Sequence, residues 1–315
     1  MKRKTKKIIS NVLIVVFLAL LAVFIYTTYE SKISNSIKVS QTQLTGLKVS
    51  FLDVGQADAI LVQVDNENML IDAGNNNDGA NLVTYLKGQN IDKFKYVVGT
   101  HAHEDHIGGL DNVINNFDVE HFFMPNVLHT TKTFEDVIDA LASNDVNYEV
   151  PKKGSTYDLG EAKLDILYIG TDQENLNNTS IVIKLTYKNV KFLFMGDAEK
   201  EVEKKLLNKD IKADILKVSH HGSNTASTEN FIKKVNPSYA VITAGKDNTY
   251  KLPSKAVINL LKKYKAEILR TDKQGTIIFT SDGESINYSN VITSIDGDEN
   301  KWNILLIELK KKLQF

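Results

Sequence analysis

The segment GTHAHEDHIGGLD, residues 99–111, concentrates three of the chain's seven histidines and three carboxylates in thirteen positions. His101 and His103 are two apart, so in an extended segment their side chains point to the same side. Asp105 and His106 follow where the chain should turn into a helix, and Gly108 and Gly109 leave room for close backbone packing behind them. Imidazole nitrogen and carboxylate oxygen are good ligands for zinc, and they also accept manganese or iron. Four such groups in six residues exceed what a single-metal site asks of one local segment. They suit two adjacent metals, one held by His101 and His103, the other by Asp105 and His106. A solvated loop without metal would explain one His-x-His pair better than it explains this run at the end of an apolar strand.

Two distant segments offer the remaining parts. FLFMGDAE ends an apolar run at Asp197, where a carboxylate could bridge two metals, although a lone Gly-Asp is most often a turn. LKVSHHGSN places His220 and His221 just beyond another apolar strand. Five of the seven histidines thus fall in two strand-terminal clusters, which favours one shared site. His121 and His129 stand outside the clusters and read as structural. Gly222 and Ser223 precede a helix whose N-terminal amides could hold a phosphate; the plainer reading is that Ser227 or Thr228 caps that helix.

These groups need elements to position them. From Leu47 the pattern is one of short β-type runs, LKVSFLDV, DAILVQVD and NMLIDAG, separated by turn chemistry and read as an antiparallel meander. A helix over about 79–88 leads to the strand KYVVGT and the histidine run, with further helices through GGLDNVINNF and TFEDVIDALASN. The second half repeats this style. KLDILYIG, SIVIKLTY and VKFLFMGD are strands, AEKEVEKKLLN a helix, ADILKVS and YAVITAG strands, with helices near 228–235 and 254–264, then EILRT and GTIIFT. Sheets with interspersed helices imply an α/β layered sandwich.

Five cations in residues 1–7 precede the apolar run from Ile8 to Tyr26. Nineteen helical residues at about 1.5 Å each approach the roughly 30 Å hydrocarbon core. This gives an expected cytoplasmic segment at 1–7, a single-pass anchor at 8–26, a polar stalk at 27–46 and everything later outside the cell. A cleaved signal peptide is the rival reading, but no Ala-x-Ala site follows. Residues 47–290 form the expected hydrolase domain, and 291–315 an amphipathic tail with Trp302, Leu305, Leu306, Leu309 and Leu313 on one helical face. Without residues 1–30 the chain has 33 basic and 38 acidic residues, a net of −5, so bulk charge does not attract a polyanion. There is no cysteine, which excludes disulfides, thiolate ligands and a thiol nucleophile.

THAHEDHIGG, taken with LIDAG, FLFMGDAE and KVSHHGS, resembles the metallo-β-lactamase fold. FLDVGQADAILVQ, NNTSIVIKL, AVITAGKDNTY and RTDKQGTI are similar, in order, to the branch formed by the extracellular hydrolase domain of competence DNA-uptake proteins of the ComEC type. The resemblance covers about 47–285. It implies an αββα four-layer sandwich with a metal site along one edge of the paired sheets, and one or two zinc ions, with manganese also compatible. It carries His101, His103, Asp105, His106 and Asp197 over as ligands, Asp105 and Asp197 as catalytic carboxylates, and Asp72 as support behind them. One of His220 and His221 should also face the metals, with His220 preferred. Paired metals bring water's pKa toward about 7, so no protein nucleophile is required.

The sequence departs from that branch in places. A Gly-Asp pair expected after Gln56 reads Ala57-Asp58, and Asn177, Asn178 and Thr179 stand where antibiotic-hydrolysing relatives carry a histidine. Tyr-Gly-His-Pro reads Tyr250-Lys251-Leu252-Pro253, so the second metal is expected to be one ligand short. The function implied is a membrane-anchored, extracellular, metal-dependent phosphodiesterase acting on nucleic acid and linked to DNA uptake. Its alternatives are a cell-envelope phosphodiesterase of the phosphorylcholine esterase kind, and a metal-depleted binding module without turnover.

Overall fold

The computed structural model describes residues 46–292, 294 and 295. The expected basic segment and anchor lie outside these residues, as do all but Gly46 of the stalk and nearly all of the tail. The chain first builds most of one sheet: β1 (Leu47–Phe51), β2 (Ala59–Val64), β3 (Glu67–Ala73), β4 (Lys93–Val98), β5 (Asp118–Phe123) and β6 (Tyr148–Glu149). It then builds a second sheet from β7 (Thr156–Leu159), β8 (Ala162–Tyr168), β9 (Val182–Tyr187), β10 (Val190–Phe194), β11 (Ile215–Lys217), β12 (Tyr239–Ile242) and β13 (Glu267–Arg270). Finally β14 (Thr276–Ser281) and β15 (Ile286–Val291) return to the first sheet beside β1. The orders are β15-β14-β1-β2-β3-β4-β5-β6 and β13-β12-β11-β10-β9-β8-β7.

The period-2 alternation of the strands decides the layering. Ile60, Val62, Met69, Ile71, Tyr96 and Val98 meet Ile183, Leu185, Phe192 and Phe194 between the sheets. The intervening residues Leu61, Leu70 and Val97 face the helices Gly79–Gly88, Leu110–Ile114 and Lys132–Ser143 on the outside of the first sheet. Leu193, Leu216, Ala240 and Ile242 likewise pack under Lys200–Leu206, Glu229–Val235 and Lys255–Lys263. Two helical layers outside two face-packed sheets give the expected αββα sandwich. The domain reaches past the expected boundary at 290, because β15 runs to Val291 and buried Ile295 donates its backbone N–H to the Asp53 carbonyl.

Strand direction positions the chemistry. β3 and β4 run parallel, as do β10, β11 and β12, so two groups of C-terminal strand ends form one edge. Asp58 joins that edge by preceding β2, which is antiparallel to β3. Ile181 donates to the Thr100 carbonyl (3.0 Å) and Asp58 to the Asp105 carbonyl (3.0 Å), tying these ends together. The short helix Glu104–Ile107 sits against the loop after β3 through Gly108 N–H to the Gly74 carbonyl, 2.9 Å.

Gly108 is required by this approach, since a Cβ there would lie 2.3 Å from the backbone of Asn75 and Asn76. Overpacking of this kind costs about 1–3 kcal/mol. Gly108→Ala should therefore lower the melting temperature of the metal-free protein by several degrees. An unchanged melting temperature would show that the loop after β3 gives way without cost.

Candidate metal centre

His101 follows β4 and is fully buried. Burial and the neighbouring His106 hold its pKa well below the ordinary histidine value, so the ring is neutral. Thr100 Oγ1 gives its proton to Asp72 Oδ2 (2.8 Å) and accepts from His101 Nδ1–H (3.2 Å), which leaves Nε2 as a lone pair. That atom lies 3.0 Å from Nδ1 of His103, whose pKa burial also lowers.

His106 is oriented from behind. Its Nδ1–H donates to Asp72 Oδ2 at 2.8 Å, while Asp72 Oδ1 accepts the Thr100 backbone N–H at 2.7 Å. Nε2 therefore faces forward, 3.3 Å from Asp197 Oδ2 and 3.8 Å from Asp105 Oδ2. His221 repeats the device with backbone: Nδ1–H donates to the Thr243 carbonyl at 3.0 Å, and Nε2 stands 3.2 Å from Asp105 and 3.5 Å from Asp197. A partner on the rear nitrogen fixes which nitrogen can bind a metal.

Asp105, His106, Asp197 and His221 each offer one ligand atom, all within 4.8 Å of one another. Two ligands about 2.0–2.1 Å from one tetrahedral zinc are about 3.3 Å apart, close to the 3.2, 3.3 and 3.5 Å separations seen here. His106 Nε2 is buried with no hydrogen-bond partner among the described residues, as an atom awaiting a cation would be, whereas Asp197 turns Oδ2 to the histidines and Oδ1 toward Lys217, 4.0 Å away. A second acidic group, Asp58, Asp72 and His106, is as compact. It does not fit a metal, because His106 Nδ1 is committed to Asp72, while Lys217 Nζ (2.5 Å) and Thr243 Oγ1 occupy Asp58.

Charge supports the same division. Burial alone would lower the His106 pKa, but Asp197, Asp72 and Asp105 outweigh it and hold it well above the usual value. His221 is raised in the same way by Asp197, Asp105 and Asp58. Burial raises Asp197 and Asp105, yet His106 and His221 pull both carboxylates below their ordinary range. Without a metal the site thus holds protons where a divalent cation would supply the charge.

All seven sequence-derived ligands line one edge, but in unequal positions. His220 is the more exposed of the pair: Nε2 is 3.8 Å from Asp197, and Nδ1 faces Thr225 and Glu199. His221, not the preferred His220, is the histidine that joins the compact donor group. Leu252 lines the cavity above the site and adds no donor to the four that Asp105, His106, Asp197 and His221 offer. The amides before the helix Glu229–Val235 are also not free for a phosphate, nor capped by Ser227 or Thr228 side chains. Buried Glu203 accepts both the Ser227 and Thr228 N–H groups. His121 pairs with Glu149 at 2.8 Å and His129 with Thr131 at 2.9 Å, and neither belongs to the compact donor groups among the described residues.

Three groups escaped sequence reasoning. Asp58 and Lys217 form a pair 1% exposed on each side, and Lys217 Nζ also stands 4.0 Å from Asp197. Asn177 lines the cavity with its Oδ1 buried and unpartnered among the described residues. The cavity itself measures about 940 Å³ and opens over His103, Asp105, Asp197, His220 and His221.

The profile of the metallo-beta-lactamase superfamily matches residues 52–246. The chain belongs to this superfamily. ComE operon protein 3 of Bacillus subtilis (strain 168) is 30% identical over 251 residues, covering 73% of this chain and 32% of that protein. Competence protein ComA of Neisseria gonorrhoeae is 26% identical over 238 residues, again 73% and 32%. The chain thus spans about a third of the length of the curated relatives it matches. Among solved structures, Igni18, a metallo hydrolase from Ignicoccus hospitalis, superposes with a TM-score of 0.51 at 17% identity, over 74% of this chain and 98% of that one. These matches establish the superfamily's fold around the donor set.

Two measurements follow for this superfamily site. His221→Ala should remove about one metal ion per chain, whereas Leu252→Ala should keep the wild-type content, both read by elemental analysis of the purified protein. Because neighbouring carboxylates raise His106 and His221 above their ordinary pKa, more of each ring is protonated at neutral pH than in an ordinary histidine, and a metal must displace those protons. Metal titration in weak buffer at pH 7 should release protons, and apparent affinity should fall as pH falls. Proton-free binding would show that neither histidine is a ligand.

Proposed function

We propose that the protein is a metal-dependent phosphodiesterase acting on nucleic acid strands outside the cell, held to the membrane by residues 8–26 and linked to DNA uptake. One observation carries the hydrolase reading: Asp105, His106, Asp197 and His221 converge beneath an open cavity, with the His101–His103 pair beside them through the His101 ring, 4.1 Å from that of His106. The nucleic-acid reading draws on the relatives' names, one of which is a competence protein.

Divalent metal, zinc or manganese, would supply Lewis acidity toward a phosphoryl oxygen and make water a nucleophile at neutral pH. The chain's own residues do the rest. Asp197, 2% exposed and within reach of His106, His220 and His221, is placed to join the two ligand sets. Asp105, 32% exposed, presents its carboxylate to the cavity. Held ionised by His106 and His221, it orients an attacking water better than it removes a proton, since an efficient base has a pKa near the working pH. Gln56, Asn75 and Asn177 offer amides around the same space. The four donors of Asp105, His106, Asp197 and His221 favour the hydrolase over the binding-module alternative, which rested on the missing ligand at Leu252.

The full chain in detergent should hydrolyse bis-p-nitrophenyl phosphate and single-stranded DNA after metal loading, and lose both activities on chelation. His103→Ala and Asp197→Ala should each reduce turnover by at least about a hundredfold, as loss of an electrostatic catalytic group does, with the melting transition retained. Turnover at wild-type rate in either variant would remove these residues from the mechanism. Cleavage of phosphorylcholine esters with DNA left intact would move the substrate to the cell envelope.

The topology is tested separately. Protease added to intact cells should remove the domain after about Tyr26. Protection until lysis would reverse the orientation drawn from the cations at 2–7.

A further inference from the structure

The rim of the cavity carries one large aromatic ring that the fold does not use. Tyr250 lines the cavity and is 73% exposed, the most exposed large ring among the described residues. Its loop, which runs from β12 to the helix Lys255–Lys263, is nevertheless firmly held. Asn248 donates to the Gly245 and Leu252 carbonyls (2.9 and 2.8 Å) and accepts the Leu252 N–H (3.0 Å). Gly245 donates to Gln56 Oε1 at 3.1 Å, fixing the loop's start to the opposite side of the cavity mouth. Asp247 and Lys251 adopt positive φ (52° and 58°), a conformation side chains take only when their surroundings impose it. A single exposed ring is ordinary on a protein surface; what sets this one apart is that a braced loop holds it at the mouth of the cavity over the donor set, where its face is open to a ligand.

The charges beside the ring say what kind of ligand. Lys246, on the cavity wall, and Lys251, next to Tyr250, are both exposed, and neither forms an ion pair among the described residues. A cationic headgroup such as choline would also lie on a tyrosine face, and the cavity lining carries the carboxylates of Glu104, Asp105, Asp197 and Asp247 as well as Lys246. With a metal bound to the floor carboxylates, Lys246 and Lys251 on the ring's own loop favour a ligand that presents a flat ring and a phosphate together.

We infer that Tyr250 is a stacking platform for the nucleobase next to the scissile phosphodiester, with Lys246 taking the neighbouring backbone phosphate. This rests on the phosphodiesterase reading and narrows it to base-bearing strands without base identity, because every base has a π-face. Tyr250 is thus a specificity-determining residue, and Leu252 beside it gives the rim an apolar wall.

The test compares binding of a fluorescently labelled oligothymidylate with an abasic oligonucleotide of equal length and phosphate count, by anisotropy, on the metal-loaded full chain. Metal-loaded binding is measured apart from turnover, so the stacking role stands or falls even if no hydrolysis occurs. Wild type should prefer the base-bearing strand by roughly 5- to 100-fold, the range of one stacked base. Tyr250→Phe should keep that preference and Tyr250→Ala should collapse it toward unity. Lys246→Gln should weaken both strands alike and flatten their salt dependence. Equal binding of the two strands by wild type, or an undiminished preference in Tyr250→Ala, would overturn the proposal. So would tighter capture of phosphorylcholine than of either oligonucleotide.

Discussion

Buried negative charge is the constraint to which the rest of the site answers. Asp58, Asp72 and Asp197 are at most 2% exposed, and they stand within one cluster at the edge of both sheets. Isolated buried carboxylates are too costly to keep ionised. Each is therefore compensated differently: Asp72 by the Thr100 N–H and hydroxyl and by His106, Asp58 by Lys217 and Thr243, and Asp197 only in part, by its histidine neighbours and by Lys217 at 4.0 Å. Removing one partner from such a buried set costs about 3–5 kcal/mol. Asp197 turns Oδ2 toward His106, His220 and His221 and Oδ1 toward Lys217. A cation among Asp105, His106, Asp197 and His221 would complete that balance, and the unpartnered His106 Nε2 belongs to the same group.

That cluster can exist because the sandwich is stabilised elsewhere. The apolar layers between the sheets and beneath both sets of helices hold the strands without help from the edge. The edge can then carry strain. Asp72, His220 and His221 all adopt positive φ (59°, 50° and 50°), which non-glycine residues seldom do. Two consecutive histidines in this conformation turn in different directions, one toward Asp105 and Asp197, the other toward Thr225 and Glu199.

What was legible in the sequence follows from this physics. The ligands contributed by 101–106 are contiguous, and Asp197 and the histidine pair each follow an apolar strand, so local pattern found them. Strand alternation could not choose between His220 and His221, because the choice lies in a left-handed turn after the strand. Motif spacing did bring Leu252 to the same cavity as the donors, but spacing along a motif does not separate metal side from substrate side. Asp72 was reached through resemblance alone, since an aspartate before Ala-Gly otherwise reads as a turn. Lys217 was out of reach. A lysine in ILKVS looks like a solvent-facing strand position, and only the fold brings Asp58 to 2.5 Å from its ammonium. The Glu203 cap was hidden likewise, because its backbone partners follow in a different loop.

Floor and rim of the cavity therefore answer to different pressures. On the floor every donor is braced by another group, as His106 is by Asp72 and His221 by the Thr243 carbonyl, so a change there disturbs charge balance as well as ligation. On the rim the loop 245–252 is braced through Asn248 and backbone, which leaves the exposed side chains of Lys246 and Tyr250 free to differ without disturbing its path. A superfamily that keeps the floor can thus exchange substrates by changing rim residues alone, in line with the rule that folds fix scaffolds while sites decide function. Leu252 fits that division: it stands outside the four-donor group of Asp105, His106, Asp197 and His221 and lines only the cavity above it.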